Sequence, residues 1–391
     1  MKIAFYSLVF NHHQSLVAKE LYNTSGVEYT FIELKHLDGE ATKGASILIK
    51  DYPFVLQAWK NKRNHKKAME IALTADVCVF AGAESLSYMT ARLKLGLLTF
   101  EMSERWLKKG LLNLFSPNIF KCYTRYWINK WGNKPVYKLC CSAFASLDHH
   151  RLGMYNDKCF KWGYFTKVEK CDTLLSNSNI TSLMWCSRFL KLKHPELPIL
   201  MAKRLKEKGY HFVLDMYGSG LFYERSIALA KEHKVEDVVN FCGSVPNDEI
   251  LDAMRKHEIF LFTSDQNEGW GAVANESMSN RCALVASDAI GSIPYLINNG
   301  LNGIMFKSAN KKTGFTQSAL KVDNLALDSL TEKVEWLLTH PHERMKIAEQ
   351  AYYTMRDVWS PENAARQFIA LIKHLQVGKV PSFIDGPCSK A

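Results

Sequence analysis

The chain has 391 residues, 47% of them hydrophobic, and a formal net charge of +11; that length predicts two domains, because single cores rarely grow beyond ~250–300 residues. No apolar run approaches the ~18–20 residues that span a bilayer, and the opening Met1–Phe10 meets Asn11 without a small-residue cleavage site. The ten cysteines lack metal-ligand or C-x-x-C spacing, which argues against a zinc module or redox motif and predicts reduced thiols in a cytoplasmic protein.

Strand-like runs at Lys2–Val9, Tyr29–Leu34, Val77–Ala81, Leu97–Phe100 and Tyr137–Cys141 alternate with helical stretches at Gln14–Tyr22, Lys60–Leu73 and Thr90–Leu95. That alternation predicts an α/β domain with a doubly wound parallel sheet over 1–170. After the first strand come Asn11, His12, His13 and Gln14. Either histidine could donate to a phosphate or accept a proton near neutral pH, so His12 and His13 are candidate catalytic groups on the acceptor side; helix capping or a surface role is the alternative. Glu101, Ser103, Glu104 and Arg105 follow a strand, where open sheets bind ligands, and a cap or surface ion cluster explains them equally well.

Residues 1–170 hold 25 Lys/Arg against 14 Asp/Glu, whereas 171–391 hold 25 of each. From Arg105 to Leu147 there are eight Lys/Arg, no acid, and interleaved Trp106, Phe115, Phe120, Tyr123, Tyr126, Trp127, Trp131, Tyr137 and Phe144. Such a mixture suits an anionic membrane surface, the alternative being a solvated basic face with its aromatics turned inward. With no nucleic-acid-binding motif beside the charge, nucleic acid is not an expected partner.

A polar, non-periodic stretch between Lys167 and Thr181 reads as the interdomain link, and a second alternating series runs from Leu183 to about Met305 within an expected second domain at 178–358. Leu183–Cys186 is a strand followed by Ser187, Arg188 and Lys193; a helix spans Pro195–Lys208; Phe212–Tyr217 is a strand ending in Gly218-Ser-Gly220. The strand Glu258–Thr263 runs through Glu268 and the Gly269-Trp-Gly271 turn into a helix containing Ala272 and Glu276, with Glu276 expected one to two turns in, and Ala283–Ala286 is a further strand. Amides at that helix start would face phosphates, and two carboxylates would accept hydrogen bonds from hydroxyls. Compensation of the helix dipole explains a lone loop glutamate as well. A helix at 359–376 and a loose tail at 377–391 complete the expected organisation.

The ordered set Ser187-Arg188 with Lys193, Gly218-Ser-Gly220, Phe241-Cys-Gly243 before Val245-Pro246, and the E-x7-E spacing of Glu268 and Glu276 resembles the family-4 glycosyltransferases, over residues 180–376. Asn11–Gln14, Thr99–Trp106 and Lys161–Phe165 resemble a bacterial surface- or capsular-polysaccharide branch. The resemblance implies the GT-B architecture, two Rossmann-like domains facing a central cleft, with the final helix crossing back to the first. It implies a retaining hexosyltransferase moving a sugar from a nucleotide diphosphate donor, a UDP-sugar being the commonest, to an oligosaccharide or lipid-linked acceptor, and the stretch Arg105–Leu147 would place it peripherally at the inner face of the plasma membrane. Arg188 and Lys193 would hold the diphosphate, the alternative being solvated helix-flanking charges; Gly218, Gly220, Gly271 and Ala272 would admit the nucleotide, a plain tight turn being the alternative for Gly218 and Gly220; Glu276 would bind its ribose; Glu268 would meet the transferred sugar. The chain has no Asp-x-Asp pair, so a metal clamp and other cofactors are not expected. A sugar-nucleotide epimerase of the same architecture and a catalytically silent sugar-nucleotide-binding protein are the alternatives.

Overall fold

The computed structural model describes residues 1–36, 49–170, 180–316 and 318–391; most of the expected link, residues 171–179, lies outside them. Two compact units are present, 1–166 together with 358–391, and 167–357.

The first unit holds β1 (Lys2–Ser7), β2 (Glu28–Glu33), β3 (Val55–Gln57), β4 (Val77–Ala81), β5 (Thr99–Ser103), β6 (Val136–Cys140) and β7 (Cys159–Lys161). They form one parallel sheet in the order β3-β2-β1-β4-β5-β6-β7. Runs such as Ile3-Ala-Phe-Tyr6 and Val77–Phe80 are buried throughout, as a parallel sheet covered on both faces requires. The helix Pro361–Gln376 starts at a Ser360 cap that accepts from the Asn363 amide. It sets Phe368 against Phe5, Phe100 and Trp162 at ring separations of 5.6, 5.3 and 5.4 Å, so this last helix belongs to the core of the first unit.

The second unit holds β8 (Thr181–Cys186), β9 (Phe212–Tyr217), β10 (Val239–Gly243), β11 (Ile259–Phe262), β12 (Ala283–Ser287) and β13 (Ile304–Phe306), all parallel, in the order β10-β9-β8-β11-β12-β13. A small antiparallel ribbon, β14 (Gly314–Phe315) with β15 (Leu320–Lys321), packs beside it. Both units are therefore Rossmann-like α/β domains. In each, the strand order reverses between two neighbouring strands, β1 and β4 in the first, β8 and β11 in the second. At such a switch the two strands send their following loops to opposite sides and leave a crevice at their C-terminal ends.

The end of the tail, residues 388–391, is not loose. The Lys161 amide donates to Ser389 O at 2.8 Å, Cys388 N donates to Lys161 O at 2.7 Å, and Ala391 N reaches Cys159 O at 3.2 Å, while Cys388 and Ser389 are buried. The physical reason is the edge of β7: its unpaired amides and carbonyls need a partner, and the last four residues supply it.

Candidate functional site

The reversal in the second unit brings the exits of β8 and β11 together, with Leu261 paired to Trp185. Trp185 Nε1 donates to Thr263 Oγ1 at 2.9 Å, and that hydroxyl donates to Lys193 O at 2.6 Å. These bonds pin the loop after β11 to the turn after β8. Lys193 and Glu268, 75 residues apart, are thereby made an ion pair, with the ammonium 5.7 Å from the Phe262 ring centre. The two groups expected on phosphate and on sugar hold each other.

Gly271 permits this arrangement. Its φ is +79°, and a Cβ there would fall 2.4 Å from Phe262 Cζ and 3.3 Å from Glu268 Cγ, so a larger residue would displace the ring and the carboxylate together. The next helix is Val273–Ser279, preceded by Ala272. Glu276 sits in its first turn, earlier than expected, because the helix starts only after Ala272. Burial raises the Glu276 carboxyl to about 7, and among the described residues it has no hydrogen-bond or ion-pair partner. Its negative charge and the surrounding protein push the nearby Cys186 thiol up to about 12, burial being the larger cause. Glu276, Cys186 and Lys193 thus share one neighbourhood.

Arg188 is exposed at the exit of β8, with no ion-pair partner among the described residues. Gly218 and Gly220 have an intramolecular explanation: a Cβ on Gly218 would lie 2.0 Å from Ser187 O, and one on Gly220 would lie 2.9 Å from Phe189 N and O. The exits of β8 and β9 are pressed together there, so the protein's own backbone requires both glycines.

Three residues were invisible in the sequence. His194, Glu196 and Asp265 form a buried cluster beneath Lys193 and Glu268; a Lys-His-Pro-Glu string gives no hint that an aspartate seventy residues on completes it. Nearby, Trp270 Nε1 donates to Asn275 Oδ1 at 2.8 Å, locking the buried indole onto the helix that carries Glu276.

In the first unit the structure links segments the sequence left separate. His12 and His13 open the helix His12–Asn23; the His13 ring stacks on Tyr164 at 5.0 Å; the Tyr164 hydroxyl donates to Glu104 at 2.9 Å, and Glu104 also accepts from Lys108. Burial lowers the His12 pKa, and burial with the neighbouring His12 lowers His13 to about 4. At neutral pH both rings are uncharged, and each can donate an N–H bond to a phosphate oxygen. Glu101 and Ser103 lie within β5 rather than after it. Glu101 is buried, paired with the fully buried Lys138 at 3.2 Å and bonded to Tyr155, so the fold consumes it. Arg105 pairs with Asp148 at 3.2 Å.

The acid-free stretch also divides. Trp106, Tyr126, Trp131 and Lys138 are buried, contrary to a single continuous surface, because β6 and its flanks draw them into the core. What remains outside is a 3-10 turn Gly110–Phe115 and the helix Pro117–Ile128. Leu112, Phe115 and Ile128 are 72%, 83% and 76% exposed, with Leu111, Phe120 and Trp127 beside them, and Lys109, Lys121, Arg125 and Lys130 are exposed among them.

A two-sheet Rossmann-like architecture with this crevice defines a class, and comparison with known proteins narrows it. Residues 174–354 match the family described as Glycosyl transferases group 1, a span that includes every donor-side residue named above. No curated protein matches the sequence. HepE from Anabaena, solved with UDP, is similar at 14% identity over 95% of this chain and 100% of that one, with a TM-score of 0.69. A glycosyltransferase from Rickettsia africae follows at 15% identity, 96% and 98% coverage and 0.67. TarM gives 12%, 95% and 98%, and 0.66. At these identities the likeness establishes a shared GT-B fold. The family match over 174–354 is what points to glycosyl transfer.

Proposed function

We propose that the protein is a retaining glycosyltransferase that moves a sugar from a nucleotide diphosphate donor, bound at the β8–β11 crevice, to a glycan or lipid-linked glycan in polysaccharide biosynthesis. One observation carries the reading: on the helix after the β11 loop, inside the segment matching the glycosyltransferase family, Glu276 is a largely buried carboxylate with no hydrogen-bond or ion-pair partner among the described residues, and it faces the same Cys186 thiol that Lys193 does. An unpaired buried acid costs stability, and ribose hydroxyls are donors that would satisfy it. Arg188 offers a planar fork to the diphosphate and Lys193 a point charge, so the charge growing on the leaving phosphate is met by cations without a divalent ion. Glu268 meets the hydroxyls of the transferred sugar. The anomeric carbon–phosphate oxygen bond breaks, the acceptor oxygen bonds that carbon on the same face, and the acceptor proton passes to the departing phosphate. Acceptor recognition belongs to the first unit, where neutral His12 and His13, Tyr164 and Glu104 supply hydrogen bonds.

UDP is the nucleotide we favour; HepE has been solved with UDP-glucose and S. aureus TarM with UDP. The exposed apolar and basic face of residues 109–130 supports a peripheral place on an anionic membrane, where a lipid-linked acceptor would be met. No helix among the described residues is long and apolar enough to cross a membrane. A thermal-shift panel of UDP-, GDP-, dTDP- and CMP-sugars tests the donor, since a ligand that binds only the folded state raises its stability. Stabilisation by one nucleotide sugar, with transfer from it to a glycan primer, is expected. No shift with any of them would sink the reading.

A further inference from the structure

Lys193 and Glu268 come from segments that have no sequence reason to meet, and something must fix their separation. The turn Lys191–Lys193 ends at His194, whose backbone is left-handed with φ 47° and ψ 56°. A glycine would adopt that conformation without strain, so the imidazole contributes something a glycine cannot. Its Nδ1 lies 2.7 Å from Glu196 Oε1, in the first turn of the helix Glu196–Glu207, and its Nε2 lies 3.6 Å from Asp265 Oδ2, in the loop after β11. The second distance exceeds a hydrogen bond, so charge attraction accounts for that contact. The ribbon strand β14 closes the remaining side with uncharged backbone: a Cβ on Gly314 would stand 3.1 Å from His194 Nδ1. The charged groups around the ring are therefore the two carboxylates and, on its own turn, Lys193. Burial pulls the imidazole pKa down, yet the carboxylates outweigh burial and raise it to about 9, so the ring is an imidazolium at neutral pH.

Asp265 is in turn the hub of the loop. Its amide donates to Leu192 O at 2.9 Å, its Oδ1 accepts from the Asn267 amide and Nδ2 at 2.8 and 2.9 Å, and its carbonyl accepts from Glu268 N at 3.0 Å. One end of this network is the residue after Lys193; the other is Glu268 itself.

We propose that His194, clasped between Glu196 and Asp265, is a positioning residue of the donor site, tying the turn that carries Lys193 to the loop that carries Glu268 and so setting the two charges that meet the nucleotide sugar. The inference rests on the donor-site reading above. Removing the imidazole leaves two buried carboxylates facing each other, and their repulsion opens the loop. Asp265→Asn removes that charge–charge repulsion, so the two changes are coupled rather than additive.

The test compares the parent with H194Q, D265N and the double variant by hydrogen exchange and by calorimetric titration with UDP, GDP and dTDP. Exchange of residues 264–268 in H194Q should quicken at least ~10-fold while β8 and β11 keep their protection, and affinity for whichever nucleotide the parent binds should fall ~10-fold. The double variant should recover part of both. A merely structural role would instead lower protection across the whole unit and leave the affinity of the folded fraction unchanged. If H194Q does not fold, D265N alone should show a milder loosening of the same loop. Parent-like exchange and affinity in both single variants would overturn the proposal. A parent that binds none of the three nucleotides would overturn it by a separate route, through the donor reading, even where loop exchange rises as expected.

Discussion

Replacing Glu276 by Gln should make the unliganded protein more stable and the nucleotide complex weaker. Burial raises the Glu276 carboxyl from an ordinary 4.5 to about 7. The sign follows from proton linkage: the folded state holds this proton more tightly than the unfolded chain, so the folded state is penalised as pH rises from 4.5 and carries the full penalty above 7. A shift of this size is worth about 3 kcal/mol, an upper bound because part of the residue reaches solvent. For a unit of this size each kcal/mol moves the midpoint by ~2–4 °C. E276Q should therefore melt up to roughly 6–12 °C above the parent at pH 8 and level with it near pH 4. Binding should move oppositely: exchanging a charged for a neutral hydrogen bond loses about 1–1.5 kcal/mol, roughly 5- to 10-fold in affinity. Calorimetric melts at the two pH values and a nucleotide titration read both arms. An E276Q protein less stable than the parent at pH 8, or one that binds nucleotide as tightly, would refute the reasoning.

Transfer should survive EDTA, because Arg188, Lys193 and amides are expected to meet the diphosphate. R188A should lower transfer ~100-fold with the melting temperature unchanged, as suits an exposed side chain with no ion-pair partner among the described residues; loss of transfer in chelator restored by magnesium would count against this. Vesicle co-sedimentation should rise with anionic lipid, fall with salt, and drop when Lys109, Lys121, Arg125 and Lys130 become Gln, at ~1 kcal/mol per charge near the surface; equal binding to neutral vesicles would remove the electrostatic argument. Deleting residues 388–391 should uncover the β7 edge and cost solubility rather than nucleotide affinity, as gel filtration and titration of the truncated protein would show.

The strands legible in the sequence are those buried on both faces, such as Val77–Ala81 and Ala283–Ala286, where a continuous apolar run leaves little choice. β3 and β7 escaped because each spans three residues, too short for a period. The helix Pro117–Ile128 escaped for another reason: Phe120, Trp127 and Ile128 are exposed, so its apolar residues do not fall on a core-facing stripe. At the site, Lys193, Glu268 and Glu276 were legible as chemistry, since carboxylates and cations at strand exits have few other uses. Their mutual pairing was not, because it depends on which strands are neighbours. The histidines show the limit of residue identity most clearly. His13 and His194 are the same side chain, one with its pKa lowered to about 4 and the other raised to about 9. The difference is that His13 is half-buried beside another imidazole and His194 fully buried between two carboxylates.

The Lys193–Glu268 pair bears on how a donor would enter. Two charges already joined lose little when the site is empty, whereas two isolated buried charges would each carry a desolvation penalty. A diphosphate arriving at Lys193 replaces one anionic partner with another, so the lysine's surroundings change little in charge. Glu268, released from the ammonium, is left needing donors, and the hydroxyls of a sugar supply them. A free nucleotide brings the phosphate without the sugar and strands that carboxylate. On this account the intact nucleotide sugar should bind more tightly than the nucleotide diphosphate alone, and E268Q should narrow the gap between them. Equal affinities in the parent, or a gap that E268Q leaves untouched, would show that the pair does not exchange partners in this way.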